Sequence, residues 1–172
     1  SNISPLDDRG GGFDTGPGNC LLDSWFCQHH PNPSENYDAA GAWAASGSVN
    51  DGLLQRMLED PYFSKRPPKT TGREYFNMSW LRSHLRALQD YPPAVDVQAT
   101  LSQLTASSLA AAIIDTMPDV RDVPMCGGGR LNDHLMRDIR ESLNPRAKLD
   151  FRVMPCETWG FDGDAIEAAA FA

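Results

Sequence analysis

One stretch near the start of the chain combines a carboxylate with glycines, a combination suited to chemistry on phosphates. It runs Phe13-Asp14-Thr15-Gly16-Pro17-Gly18-Asn19, and apolar residues follow at once. Glycines let a backbone approach a phosphate closely, and the N–H groups of a following helix point at the anion. An aspartate at a strand end could take a proton from a nucleophile or hold Mg²⁺ through water. The alternative is a helix cap with Asp14 solvated on a turn.

A second glycine-rich stretch lies in the last third of the chain and runs Cys126-Gly127-Gly128-Gly129-Arg130-Leu131-Asn132. It follows a segment that we predict to be a buried strand. Three glycines present a flat surface to a ring or a phosphate, and Asn132 could fix either the next helix or a ligand. A plain strand-to-helix turn is the alternative, because a glycine triplet alone says little. The presence of two such loops in one chain favours the functional interpretation.

Two further segments carry charged side chains that could meet a ligand. Asp162-Gly163-Asp164 is followed by Glu167, whose small neighbours would let its helix pack closely beside a cleft. The loop from Lys69 to Glu74 offers basic groups to an anion, although exposed loop charges are usually only solvated. A solvent-facing position is likewise the alternative for Glu167. The four histidines share no metal-binding spacing, so we interpret them as surface or structural residues: His29, His30, His84 and His134.

The elements that must position these segments alternate between short strands and helices. We predict a strand before the first glycine turn and a buried helix after it, beginning near Cys20. Apolar residues at helical spacing predict three more helices, which carry residues 53–58, 80–88 and 96–113. A strand over 123–126, a helix capped by Asn132, an alternating strand through 149–153 and a final helix opening at Asp162 complete the pattern. This order indicates an α/β layer architecture.

Composition limits the classes of function that are plausible. The chain has 172 residues and a formal net charge of −8, with no run of lysine or arginine. A protein that grips nucleic acid through phosphates usually has a basic face, so we expect no nucleic acid partner. We find no apolar stretch near the roughly 20 residues of a membrane span, and expect no membrane partner. The four cysteines lack paired CxxC spacing, which favours buried, reduced thiols over zinc or disulfides.

Taken together, these segments resemble the anhydro-N-acetylmuramic acid kinase family. The motifs that carry the resemblance occur in the family's order along nearly the whole chain: Phe13–Asn19, Asp38–Gly41 with Gly47, Asp60–Phe63, Pro67–Glu74, Asp96–Leu101 with 104–106, Cys126–Gly129 with Asn132, and Asp162–Asp164 with Glu167. The resemblance implies an actin-like, ribonuclease-H-type α/β fold, in which two domains face each other across a cleft. We expect residues 1–172 to form the C-terminal domain, with the family's first phosphate loop and its helical tail outside this sequence.

The resemblance also implies a reaction. The family opens the 1,6-anhydro bond of anhydro-N-acetylmuramic acid with water and transfers the γ-phosphate of ATP to O6, in the recycling of cell wall in the bacterial cytoplasm. Asp14 would be the base that activates the water, and Glu167 would contact the sugar. The residues expected to bind phosphate and nucleotide are Thr15, Gly16, Gly18, Asn19, Gly127, Gly128, Gly129 and Asn132. ATP and Mg²⁺ would be required, no residue is assigned as a metal ligand, and a homodimer is expected.

Two other hypotheses remain at the level of the sequence. One is a non-catalytic module that binds a nucleotide or a sugar, because the first phosphate loop of the family lies outside this sequence. The other is a dimeric aspartic protease, because an apolar residue followed by Asp-Thr-Gly also surrounds the carboxylate of such enzymes. That chemistry needs a second carboxylate sharing a proton with the first, and only a second copy of this chain could supply it.

Overall fold

A computed structural model of the chain describes residues 2–3, 12–32, 34, 36–72, 74–144 and 151–162. The α-helices are α1 (Cys20–His29), α2 (Ala42–Ala45), α3 (Asp51–Leu58), α4 (Pro61–Ser64), α5 (Met78–Arg86), α6 (Ala94–Thr116) and α7 (Asp133–Leu143). The strands are β1 (Asn2–Ile3), β2 (Phe13–Asp14), β3 (Asp122–Met125) and β4 (Arg152–Pro155). Short 3₁₀ turns occupy Ala39–Gly41, Gly128–Leu131 and Cys156–Trp159.

The strands form two small sheets at the two ends of the described chain. β1 and β2 are antiparallel and pair Asn2 with Asp14, whereas β3 and β4 are parallel and pair Met125 with Pro155. The mixture of helix and sheet agrees with the predicted α/β class. Strict alternation is wrong for the middle of the chain, because six helices follow one another between β2 and β3 among the described residues.

Helix α6 is the central element of the fold. It packs against α1, α2, α3 and α7, and its residues belong to both apolar clusters. Our prediction of no apolar stretch near the length of a membrane span is wrong for this 23-residue helix, which meets that test by length and composition. Because 78% of its most apolar 18-residue window is buried inside the fold, α6 is a core helix.

Helix boundaries follow the capping residues that the sequence supplies. The side chain of Asn132 accepts a hydrogen bond from the Leu135 N–H at 2.9 Å, which confirms the predicted start of α7. α3 ends at Leu58, the last residue of the predicted apolar stripe, and Pro61 opens the short helix α4. α6 begins at Ala94, two residues before the predicted start at Asp96.

The last third agrees with the prediction in type and differs slightly in position. β3 ends at Met125, one residue earlier than predicted, which places Cys126 at the start of the glycine loop. β4 begins at Arg152, and the predicted strand residue Leu149 lies outside the described residues. All four cysteines carry free thiols, as expected, but of the four only Cys156 is buried, whereas Cys20 and Cys126 are half-buried and Cys27 is exposed.

Candidate functional site

The backbone of Asp14 is held from two directions at the end of β2. Its N–H donates to the carbonyl of Lys69 at 3.0 Å, and its carbonyl accepts a hydrogen bond from the Tyr62 hydroxyl at 2.9 Å. Tyr62 belongs to α4 and Lys69 to the loop after it, so a helix and a loop distant in sequence fix the position of this residue. The two-residue strand is therefore not positioned by its sheet alone.

The carboxylate of Asp14 is held as well. Oδ2 accepts one hydrogen bond from the Thr70 hydroxyl and a second from the Thr71 N–H, each at 3.0 Å. The alternative of an aspartate solvated on a turn is thus wrong for this side chain, which is half-buried and bonded. Sequence reasoning missed Thr70 and Thr71, although the segment from Pro67 to Glu74 was one of the motifs behind the resemblance. Arg73 lies outside the described residues.

Lys69 ties this loop to the end of α4. Its ammonium donates to the carbonyls of Tyr62 and Phe63 at 3.3 and 3.4 Å and lies 5.0 Å from the centre of the Tyr62 ring. Burial lowers the pKa of Lys69, and burial followed by the nearby charge of Asp14 raises the pKa of Tyr62 to about 12. Tyr62 therefore stays protonated near neutrality and keeps its hydrogen bond to Asp14. The alternative of a loop charge that is only solvated is therefore wrong for Lys69.

The glycine turn after Asp14 is packed against the middle of α6. Thr15 and Gly16 are buried, and a methyl group on Gly16 would lie 2.9 Å from Ser108 Oγ and 3.1 Å from a ring carbon of Phe63. The Thr105 hydroxyl donates to the carbonyl of Gly18 at 3.0 Å. A side chain at position 16 would force Ser108 and Phe63 to shift, so α6 restricts the path of the backbone there.

Asn19 joins the two glycine loops. It stands before the first residue of α1 but makes no side-chain cap there. A methyl group built on Gly128 would lie 3.7 Å from Asn19 Nδ2, and one on Gly129 would lie 3.6 Å from Asn19 Oδ1. The structure therefore brings the Thr15–Asn19 turn and the Cys126–Asn132 loop side by side, as two loops that share one ligand require.

Arg130 braces the second loop from within. Its Nη1 donates to the carbonyl of Gly127 at 2.8 Å, and its Nε meets Glu157 Oε1 at 2.5 Å. The guanidinium side chain is only 8% exposed, whereas Glu157 is 46% exposed. Because this cation is committed to the loop itself, the glycine peptides rather than Arg130 are the groups that can meet a ligand here.

Asn132 is held by a loop that the site predictions left out. Gly41, which has a φ of +69°, lies against it so closely that a methyl group there would overlap Asn132 Oδ1 and come within 2.7 Å of His134 Cβ. Asp38 fixes this loop, since its carboxylate accepts from the N–H groups of Trp43 and Ala44 at 2.8 and 2.9 Å. The signal in the sequence was the Asp38–Gly41 motif, whose glycine needs both a left-handed backbone and close contact.

Two further carboxylates lie in the interior near this site. Burial, and secondly the charge of Asp38, raise the pKa of Asp23 on α1 to about 6. Burial also raises the pKa of Asp138 on α7, which accepts from the Ser102 hydroxyl at 2.7 Å and faces His134 Nε2 at 3.4 Å. The Ser102–Asp138 hydrogen bond connects α6 with α7, and we assign both carboxylates to the packing of the fold.

The residues present fit a phosphate-bearing ligand. In the second loop Gly128 is exposed, and a methyl group built on it would meet only Asn19 within 4 Å, so its peptide groups are open to a ligand; Gly16 of the first loop is buried. Among the described residues, no group of three or more His, Cys, Asp and Glu side chains could hold a metal ion. Glu167 lies outside the described residues, so its place in the site stays a prediction.

Comparison with known proteins gives one consistent result. The sequence model of the family described as Anhydro-N-acetylmuramic acid kinase matches residues 1–172. The chain is 45% identical to the anhydro-N-acetylmuramic acid kinase of Chromohalobacter salexigens, over 94% of this chain and 42% of the relative. It is 44% identical to the proteins of that name from Pseudomonas paraeruginosa and Coxiella burnetii, over 94% of this chain and 42% and 41% of those relatives.

The chain therefore spans about two fifths of the length of the curated relatives it matches. The match covers every segment that builds the site, from the Asp14 turn to the second glycine loop. On this match, the chain belongs to the anhydro-N-acetylmuramic acid kinase family.

Proposed function

We propose that this chain is the C-terminal, actin-like domain of an ATP-dependent sugar kinase that acts on 1,6-anhydro-N-acetylmuramic acid. Membership of the family implies a sugar kinase of the actin-like ATPase type. The observation that carries the proposal is the juxtaposition of a fixed carboxylate with two glycine loops that meet at Asn19. A kinase site needs both a base beside the acceptor and backbone groups beside the phosphates.

In the proposed reaction, water attacks the anomeric carbon of the sugar while Asp14 takes a proton from it. The bond between that carbon and O6 breaks, and its electron pair stays on O6. This oxygen then accepts the γ-phosphoryl group of the substrate ATP. The products are N-acetylmuramic acid 6-phosphate and ADP, with the proton on Asp14.

The two loops would hold ATP through different groups. Thr15, Gly16, Gly18 and Asn19 would present backbone N–H groups and short side chains to the phosphates. Gly127, Gly128, Gly129 and Asn132 would accept the adenosine part against a flat peptide surface. Mg²⁺ would neutralise charge on the phosphates when bound, and Glu167 would contact the sugar. A homodimer in the bacterial cytoplasm is part of the same proposal.

The decisive experiment is analysis of the product by mass spectrometry. The complete protein would be incubated with Mg-ATP and anhydro-N-acetylmuramic acid in ¹⁸O-labelled water. We expect a sugar that gains both one labelled oxygen and one phosphate. Phosphate without label would indicate an ordinary sugar kinase acting on a free hydroxyl group.

Two alternative outcomes separate the remaining hypotheses. ATP binding without any turnover would support a non-catalytic binding module. A protease would cleave peptides independently of ATP, with inhibition by a statine-type mimic of the transition state. Membership of the kinase family weighs against the protease. So does the Asp14 carboxylate, whose Oδ2 is bonded to Thr70 and Thr71 of the same chain.

A further inference from the structure

The two oxygens of the Asp14 carboxylate have different surroundings. Two donors, the Thr70 hydroxyl and the Thr71 N–H, converge on Oδ2 at 3.0 Å. Among the described residues, no hydrogen bond reaches Oδ1. A carboxylate bound on one oxygen by two donors cannot rotate freely about its last bond without losing both of them. The two hydrogen bonds therefore fix both the position and the orientation of the Asp14 carboxylate.

The donors are themselves fixed by their neighbour Lys69. The carbonyl of Lys69 accepts the Asp14 N–H at 3.0 Å, and its ammonium bonds the last carbonyls of α4 at 3.3 and 3.4 Å. The hydroxyl of Tyr62 in α4 in turn donates a hydrogen bond to the carbonyl of Asp14, so α4, the loop and Asp14 are linked to one another. Thr70 and Thr71 thus directly follow Lys69, whose backbone carbonyl and side-chain ammonium are both hydrogen-bonded.

We propose that Thr70 and Thr71 form a clamp on Asp14 that fixes Oδ2 and leaves Oδ1 as the atom that takes the proton. Thr70 is then a positioning residue for the reaction, because it acts only through Asp14. The inference rests on the function proposed above, and it adds which atom is the base and what holds it in place. A general base works only when the accepting atom lies within hydrogen-bond reach of the proton.

Kinetics of Thr70→Val in the complete enzyme test the clamp. Valine keeps the shape of threonine but cannot donate, so we expect kcat to fall on the order of 10- to 100-fold, the loss of one hydrogen bond to a charged group. The KM for ATP should stay within about twofold, because the nucleotide loops are unchanged. Thr70→Ser should restore most of kcat, since serine can donate in the same way. Thr71→Val should lose less than Thr70→Val, because its donor is the backbone.

A matched control is Thr116→Val, which makes the same change at the exposed end of α6, where the hydroxyl donates only to the carbonyl of Ala112. We expect its kcat to equal that of the unaltered enzyme. An unchanged kcat in Thr70→Val, or an equal loss in Thr70→Ser and Thr70→Val, would overturn the clamp. A complete enzyme that makes no product would instead overturn the proposed function.

Amide hydrogen exchange tests the contact without any turnover. In Asp14→Ala the Thr71 amide loses its acceptor, so we expect its exchange to quicken about tenfold or more. The amide of residue 14 itself serves as an internal control, because its partner is the Lys69 carbonyl in both proteins. Equal Thr71 exchange in the two proteins would show that the clamp does not form.

Discussion

At the scale of the residue, Asp14 is the proposed general base, and its carboxylate is held in place by Thr70 and Thr71. Replacing it with asparagine keeps an acceptor for Thr70 and Thr71, but removes the ability to take a proton. We expect kcat of the complete enzyme to fall about 10²- to 10⁴-fold, the usual contribution of a general base. The assay is formation of the phosphorylated sugar, with ATP affinity measured in parallel. A loss below about tenfold would contradict the assigned role of Asp14.

A second residue, Asp23, makes the stability of the fold depend on pH. The pKa of Asp23 is raised to about 6 by burial and by the charge of Asp38, so the folded protein binds this proton more tightly than the unfolded chain does. Its contribution to stability is complete below the unfolded pKa, near 3.9, and is lost as the pH rises through about 6. At pH 7.5 the charged carboxylate should therefore cost about 1–2 kcal/mol, after allowance for partial solvent screening.

Asp23→Asn should remove that cost because asparagine does not titrate. We expect the free energy of unfolding of the variant to exceed that of the unaltered protein at pH 7.5, and the difference to vanish towards pH 4. Urea unfolding at several pH values measures both. Glu59→Gln on the exposed end of α3 is a control for the loss of one negative charge. A difference that stays constant with pH would contradict the raised pKa.

At the scale of the element, the turn from Thr15 to Asn19 depends on α6 behind it. Gly16→Ala would place a methyl group 2.9 Å from Ser108 Oγ, and overpacking of this kind costs about 1–3 kcal/mol. Adding Ser108→Ala removes the oxygen and leaves the Ser108 Cβ at 3.4 Å, an ordinary contact, while the tighter contact with Phe63 at 3.1 Å is present in both variants. We therefore expect the double variant to be more stable than the sum of the single changes predicts.

The measurement is a double-mutant cycle on unfolding free energy, with ATP affinity as a second readout. A coupling of about 1 kcal/mol in favour of the double variant would confirm that α6 sets the path of this turn. Additive changes would mean that Gly16 is required for a reason other than its contact with Ser108.

What could be predicted from the sequence differs between local and distant interactions. The cap at Asn132 and the helix from residue 96 onwards were predictable, because capping and helical period depend on residues within one or two turns. The bonds from Thr70 to Asp14 join residues 56 positions apart, and no local pattern reports such a contact. The Gly41–Asn132 contact was hidden for the same reason, although its motif was visible. Helix and sheet content could thus be predicted from the sequence, whereas the Thr70–Asp14 bond and the Gly41–Asn132 contact could be seen only in the structure.

At the scale of the whole molecule, α6 connects the two apolar clusters and the turn from Thr15 to Asn19. Its first half contributes Val97, Leu101 and Leu104 to one apolar cluster, and its second half contributes Leu109 and Ile113 to the other. Between them, Thr105 and Ser108 support the phosphate turn. The backbone hydrogen bonds of α6 make it a stiff element. We therefore expect that loss of packing on α6 in either cluster also disturbs the Thr15–Asn19 turn, which contacts the helix between them.

This arrangement predicts that the two clusters unfold together. Ile139 on α7 is fully buried in the second cluster, and Ile139→Ala should cost about 2–5 kcal/mol. Tryptophan fluorescence reports the first cluster, where Trp25 is buried and donates to the Ala94 carbonyl at 2.8 Å, once the exposed Trp159 is replaced by phenylalanine. In that background Ile139→Ala should lower the urea midpoint equally by fluorescence and by far-ultraviolet circular dichroism. A fluorescence midpoint that stays in place while the dichroism midpoint falls would mean that α6 does not couple the clusters.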